Sequence, residues 1–416
     1  MKTGAKVLSD IRTQSGSALI TRRGFLGMSG ALVALGMPEF ARVAWAQRLA
    51  GPEIRIGAIL GFSGLFGDWG KKDKVALDLA VEEINAKGGI GGVPIKLFVE
   101  DSASKPVEAG ILTRKLATDH RALAIIGPIG SSECEVAFPI ANQLKVPIIS
   151  HASTKPGLGA ANRPWAFRMN VAQDVIAGPA VRRFAREYNV KSTALIHDAK
   201  DAVAQFVGTR VLPALLKSHG LRIVNEGNYL TFQSRDIDFS AQVTKLKGMQ
   251  FDGIAFGGFY TDGVTFLKEA RRQGVTQPMV GGDMLVHELF AQQGGDAVDG
   301  TIAAAAFWVG LPDPNVQNLV KKFAARAEAA GLAPSVEQTT ANAYNALYLL
   351  AEIIERTGVT NRPGDLGADR ERIMRALTTI QNWPAVGGQM SFNKDGDAVK
   401  DIFVLMVKGR KWIRIE

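Results

Sequence analysis

The sequence predicts an α/β fold of two open units, each a parallel sheet with helices on both faces. Two observations predict it. Short apolar runs of strand length alternate with helical periods of 10–15 residues, and this alternation runs through the chain twice. Length agrees: 416 residues at 46% hydrophobic and 21% charged are enough for two cores, because single cores stop growing near roughly 250–300 residues.

The first run begins with a buried strand at 54–60 and a helix at 73–86, where Leu77, Val81 and Ile84 recur at helical spacing. A strand at 95–99, a helix at 106–118, a strand at 122–126, a helix at 133–144 and a strand at 146–149 follow. Gly88-Gly89-Ile90-Gly91-Gly92 supplies a tight connection. Residues 165–171 show no helical period and read as a crossing between units. The second run has helices at 177–188, 203–219 (interrupted at Pro213), 239–247 and 261–273, with strands at 193–196, 222–226, 253–256 and 278–280. Three helices near 316–330, 338–355 and 370–379 come next. Two short strands, 390–392 and 401–407, close the chain, with 393–397 as the turn between them.

Composition removes several function classes. The net charge is +9, but the first 46 residues carry six Lys/Arg and two Asp/Glu, leaving +5 without a long basic run. That argues against nucleic acid, which needs a clustered basic stripe. One cysteine, Cys134, excludes an internal disulfide and a Cys-cluster metal site; five scattered His argue against a metal centre. There is no Walker A sequence, no His-Glu-x-x-His and no Gly-x-Ser-x-Gly. Ser102-Ala103-Ser104-Lys105 matches Ser-x-x-Lys by letters but lacks the companion motifs. Gly61, Gly64 and Gly67 miss the dinucleotide spacing. Val286-His287-Glu288 reads as a helix start. No enzyme, no cofactor and no metal are expected.

The first 46 residues read as an address. Thr21-Arg22-Arg23-Gly24-Phe25-Leu26 precedes an apolar run of 13 residues, 25–37, and Ala44-Trp45-Ala46 gives a small-x-small cleavage pattern. The run is too short to span a bilayer, which takes about 20 residues. Arg22-Arg23 followed by Phe-Leu resembles the twin-arginine export signal. Cleavage near Ala46/Gln47 is expected, with a periplasmic location.

Ligands bind beyond the carboxyl ends of parallel strands and in clefts between domains, so the strand-end loops hold the candidate residues. Gly130-Ser131-Ser132 opens a helix, where free N–H groups and the helix dipole suit a carboxylate; alternatively one serine is simply the N-cap. Ser150-His151-Ala152-Ser153-Thr154 repeats that chemistry at the neighbouring strand end. In the second unit, Gly257-Gly258-Phe259-Tyr260 offers backbone approach and an aromatic cover, and Gly281-Gly282-Asp283 offers a carboxylate to an ammonium. Trp69 follows the first strand and can stack on a ligand or pack in a core.

These blocks, in order, resemble the branched-chain amino-acid binding proteins of ATP-driven transporters. The resemblance runs from Ile54 to the C-terminus. It is carried by Ile56-Gly57-Ala58 with Phe62-Ser63-Gly64, by Glu83-Ile84-Asn85-Ala86-Lys87-Gly88-Gly89-Ile90, by Ile126-Gly127-Pro128 and by Val146-Pro147-Ile148-Ile149-Ser150. Phe251-Asp252, Gly257-Gly258-Phe259 and Gly281-Gly282-Asp283 complete it. It implies two Rossmann-like lobes joined by a three-strand hinge, the type I periplasmic binding protein fold. Residues 47–171 and 306–388 would form lobe 1, and 172–305 and 389–416 lobe 2, with crossings near Val171, Ala305 and Gln389. It also implies a monomer that closes on a small solute and presents it to an ABC permease in the inner membrane. Ser131, Thr154 and the backbone near Ala152 would hold a carboxylate, with Ser132 and Ser153 in the same loops. Asp283 would face an amino group, and Trp69 would take the aromatic position. Phe259 stands where such proteins commonly carry Tyr, and Ala202-Val203 replaces an aromatic-Gly pair. These departures fit an aromatic or longer carboxylate better than plain leucine or valine, so a binder of aromatic acids or amides is an alternative to an amino-acid binder; a sensory protein of the same fold is another.

Overall fold

The computed structural model describes residues 49–416; the expected export segment, with Arg22, Arg23 and the cleavage position, lies outside them. Among the described residues no helix is long and apolar enough to cross a membrane.

The first sheet is wholly parallel. Strands β1 (Ile54–Leu60), β2 (Ile95–Asp101), β3 (Ala124–Ile126), β4 (Ile148–Ser150) and β5 (Ala166–Arg168) lie in the order β2-β1-β3-β4-β5. Ile54, Ile56, Ala58, Ile59 and Leu60 are all fully buried. A strand buried on both faces cannot alternate polar and apolar residues, which is why β1 reads as a continuous apolar run from Ile56 to Leu60, with Arg55 part-exposed at its start. The order reverses between β1 and β3, and that is where an open parallel sheet leaves a crevice at its carboxyl edge. The loops leading to Trp69, Ser131 and Thr154 all leave from that edge.

The second sheet is built from β6 (Ser192–Asp198), β7 (Arg222–Ile223), β8 (Leu230–Phe232), β9 (Gly253–Gly257), β10 (Met279–Gly281) and β11 (Ile302–Ala305). Near the C-terminus come β12 (Trp383–Ala385), β13 (Gly388–Phe392), β14 (Ala398–Val399), β15 (Phe403–Lys408) and β16 (Lys411–Arg414). The sheet order is β16-β15-β11-β10-β9-β6-β7, with β8 also on β6; β15 and β16 are antiparallel and the others parallel. Phe232, Phe239, Phe256 and Phe266 form a ring-on-ring core under it, with centroids 5.1–5.8 Å apart. Each buried ring contributes about 1.5–3 kcal/mol from burial.

Four local expectations change. The helix expected at 203–219 is Ala202–Phe206, a π turn Val207–Val211 and Leu212–Ser218; Pro213 lacks the N–H that a straight helix needs there. The turn at 393–397 joins β13 to β14, not the last two strands. Strand β15 instead pairs with β16, which the sequence pattern did not flag. Residues 389–399, expected in the second lobe, pack on the first sheet. Arg168 forms an isolated bridge to Asp397 as well as an ion pair, and Phe167 and Phe392 sit 5.2 Å apart. The chain therefore reaches the second sheet only at Phe403, because the buried charge of Arg168 holds its partner's turn beside β5.

Candidate functional site

Seven of the eight residues singled out as ligand contacts line one cavity: Trp69, Ser131, Ala152, Ser153, Thr154, Phe259 and Asp283. Ser132 does not. It is the second residue of the Ser131–Gln143 helix and is rotated off the cavity face by the helical turn.

The hydroxyl side of the cavity is built by two strand-end loops. Gly130 is the N-cap of the Ser131–Gln143 helix, so Ser131 is not the cap. Glu133 reaches back to accept from Gly130 N at 2.9 Å, which satisfies one terminal donor and leaves the helix start facing the cavity. A side chain at Gly130 would collide with the Phe66 ring at 2.3 Å, so glycine lets that ring reach the cavity wall. Ser131 Oγ and Ser153 Oγ lie 2.9 Å apart. Ser150 Oγ donates to Pro128 O and accepts from Ser153 N at 3.0 Å, tying the two loops together. The same hydroxyl accepts from Ala152 N at 3.4 Å, so the backbone at Ala152 is already engaged.

Behind these loops sits a buried pair. His151 Nε2 lies 2.9 Å from Asp73 Oδ2, both fully buried, and Thr339 Oγ1 donates to Asp73 Oδ1 at 3.1 Å. Asp73 belongs to the Gly67–Ala86 helix that carries Trp69, so the pair locks the hydroxyl loop to the aromatic wall. Arg168, also fully buried, donates to Lys155 O at 2.6 Å and to Asp397 at 2.6 Å.

The aromatic side comes from both sheets. Phe66 and Trp69 follow β1; Phe259 and Tyr260 follow β9. Phe66–Phe259, Trp69–Phe259 and Trp69–Tyr260 centroids are 5.9, 6.0 and 5.1 Å apart, all edge-on. Tyr260 donates to Asp68 Oδ2 at 2.6 Å and stacks on His287 at 3.9 Å. Lys72 on the first unit's helix reaches Glu288 of the second at 3.3 Å. The glycines before Phe259 have a different use from the one expected. A Cβ at Gly257 would meet Gly208, and one at Gly258 would meet the Phe232 and Phe256 rings, so both make room for core packing rather than for a ligand.

Asp283 is held by amides. Gln338 Nε2 donates to it at 3.0 Å, Asn170 Nδ2 at 3.3 Å, and Gln173 Nε2 donates to its other oxygen. Gly282 has no Cβ because one would strike the Gln173 amide. Burial pushes the Asp283 carboxyl up to about 6, and the amide donors act in the opposite direction. Asn170 follows β5, and Gln338 Oε1 accepts from Ala306 N just after β11, so the network ties together two crossing segments.

The sequence reading did not find Phe66, Asn170, Glu337 or Gln338, all of which line the cavity. Glu337 accepts from Lys72 at 2.7 Å, and burial pushes it up to about 7 against the pull of that ammonium. His287 Nδ1 accepts from Leu289 N at 3.0 Å as the N-cap of Glu288–Gly294, which places the ring proton on Nε2. Burial, then Lys72, holds His287 well below its usual value, so it is neutral. Two carboxylates, Asp283 and Glu337, line the cavity, and no Lys, Arg or His does among the described residues.

Comparison with known proteins agrees with the fold. The sequence pattern of the periplasmic binding protein family matches residues 53–411. Leu/Ile/Val-binding protein BraC3 of Rhizobium johnstonii is 29% identical over 88% of this chain and 94% of its own length. A branched-chain amino-acid transporter substrate-binding protein of Streptococcus pneumoniae, solved with isoleucine, is 27% identical with a TM-score of 0.73, covering 87% of this chain and all of that one. A solute-binding protein of R. palustris solved with benzoate has a TM-score of 0.74 at 20% identity, over 87% of this chain and 95% of that one. The resemblance to the branched-chain amino-acid binding proteins thus extends over the folded chain.

Proposed function

This chain belongs to the periplasmic binding protein family, a family of solute-binding proteins rather than enzymes, and we propose that its cavity binds an amino acid for delivery to an ABC permease. One observation carries the reading: the cavity wall holds two carboxylates and no cation among the described residues. Buried carboxylates disfavour a simple anion and favour a ligand bearing an ammonium. Hydroxyls at Ser131 and Thr154, with the helix start, would take the ligand's own carboxylate. Asp283 would take the ammonium, and Trp69, Phe66 and Phe259 the apolar remainder. The export address expected from the first 46 residues and the family support a periplasmic location for this step.

A second reading has its own support. The three aromatic rings on the wall suit an aromatic acid, and a neighbour of the same fold was solved with benzoate. A thermal-shift screen of amino acids, aromatic acids and amides separates the two, since a ligand at ~100 times its Kd adds about 2.7 kcal/mol. Amino acids are the expected hits; stabilisation by aromatic acids alone would replace the first reading with the second.

Ser131→Ala with Thr154→Ala is expected to weaken binding ~10²–10⁴-fold with the melting temperature of the free protein little changed, because each of the two hydroxyl bonds to a charged group is worth about 1.5–3 kcal/mol. Calorimetry showing equal affinity refutes the carboxylate assignment.

Affinity should also depend on pH with a defined sign. The ammonium needs Asp283 ionised, and its carboxyl titrates at about 6 in the free protein. Above about pH 7 the affinity for an amino acid is flat. Below about pH 6 a proton must leave on binding, so affinity falls about tenfold per unit. Calorimetry in two buffers of different ionisation enthalpy, at pH 5 and 8, reads the proton release directly; none at pH 5 contradicts the pairing.

A further inference from the structure

Glu337 is more than a wall of this cavity. Its Oε1 is committed: Lys72 Nζ donates to it at 2.7 Å, and His287 Nε2 lies 3.0 Å away. Its Oε2 is buried and has no hydrogen-bond partner among the described residues, and the side chain is only 7% exposed. Such an oxygen costs about 1–3 kcal/mol unless something donates to it.

Most neighbouring donors are already spent; the exception is His287 Nε2, which faces Oε1 and makes no well-aligned hydrogen bond. Lys72 also serves Ser335 and Glu288. The Gln338 amide gives its protons to Asn170 and Asp283. The Thr339 hydroxyl donates to Asp73. The cavity, which Glu337 lines together with Val286 and Thr339, offers a place for the missing donor; on its other side Glu337 borders a second cavity with His287 and Ser335. This end is distinct from the hydroxyl end, where Ser131 and Ser153 bond to each other and to the loop backbone.

We propose that Glu337 is a specificity residue whose free oxygen accepts a hydrogen bond from the far end of the ligand's side chain, so that the preferred amino acid carries an amine or hydroxyl there instead of a plain aliphatic end. The inference rests on the amino-acid reading above. The Lys72–Glu288 and His287–Glu337 contacts join the two units, so a donor at Oε2 also completes the charge cluster that forms when they meet.

Three amino acids of nearly equal shape test it: norleucine, 5-hydroxynorvaline and ornithine, which end in a methyl, a hydroxyl and an ammonium. Calorimetry on the unaltered protein should give at least one of the two donor-bearing ligands ~10-fold or greater preference over norleucine, the size of a hydrogen bond to a charged acceptor. In Lys72→Met with Glu337→Leu, which removes both members of the buried pair and leaves the other partner of Lys72, Glu288, partly exposed to solvent, that preference should vanish. Norleucine binding as tightly as both others in the unaltered protein overturns the assignment whatever becomes of the variant, and shows that water satisfies Oε2. A preference that persists in a folded variant overturns it too. If none of the three binds while an aromatic acid does, the amino-acid reading itself falls, and this inference falls with it.

Discussion

Asp283→Asn lowers affinity for an amino acid by about two orders of magnitude or more, while binding of a simple carboxylic acid changes far less. The carboxylate is half-buried on the cavity wall and its side-chain hydrogen-bond partners are all amides. In the proposed complex, the ligand's ammonium would be its one cationic partner, and removing one member of a buried pair costs about 3–5 kcal/mol. Asn keeps the shape but replaces one oxygen with a donor. Asn170 and Gln338 give protons to one oxygen and Gln173 to the other, so in either orientation the new amide sets donor against donor. Calorimetry on both ligand types decides the matter. Parallel losses would mean that Asp283 shapes the cavity without pairing an ammonium.

Arg168→Leu destabilises the free protein by about 3–5 kcal/mol, the cost of stranding a buried partner. The guanidinium is fully buried between β5 and the β13–β14 turn, bonded to Asp397 and to the carbonyl of Lys155. Leucine leaves Asp397 without a cation and Lys155 O without a donor. Urea denaturation followed by tryptophan fluorescence gives the loss, and Arg168→Leu with Asp397→Leu should recover part of it. A single-variant loss below about 1 kcal/mol would show that the pair is solvated. Because Lys155 follows Thr154 directly, the single variant should also weaken ligand binding.

Much of this architecture was legible in sequence because strands buried on both faces leave unbroken apolar runs, as in 56–60 and 253–256. The hydroxyl loops were legible for the same reason, since they begin where those runs stop. Strands β5, β8 and β16 were not: three or four residues carry no usable period. Asn170 and Gln338 were missed because their contact joins residues 168 positions apart, and only the crossing of the chain between sheets brings them together. Glu337 lies at the start of a helix rather than at a strand end, so a search along strand ends passes over it. Ser132 shows the reverse error, in which a loop of suitable composition was credited whole although a helix shows the cavity one side only.

Two of the bonds that join the two units, Tyr260 to Asp68 and Lys72 to Glu288, involve none of the cavity-lining residues, whereas Gln338 to Asp283 and His287 to Glu337 do. Part of the closure is therefore independent of the groups that select the solute. The wall decides which solute is held, and the seal outside it adds to how long. A permease that docked on the closed protein and pried that outer seal apart would hasten release without touching the solute.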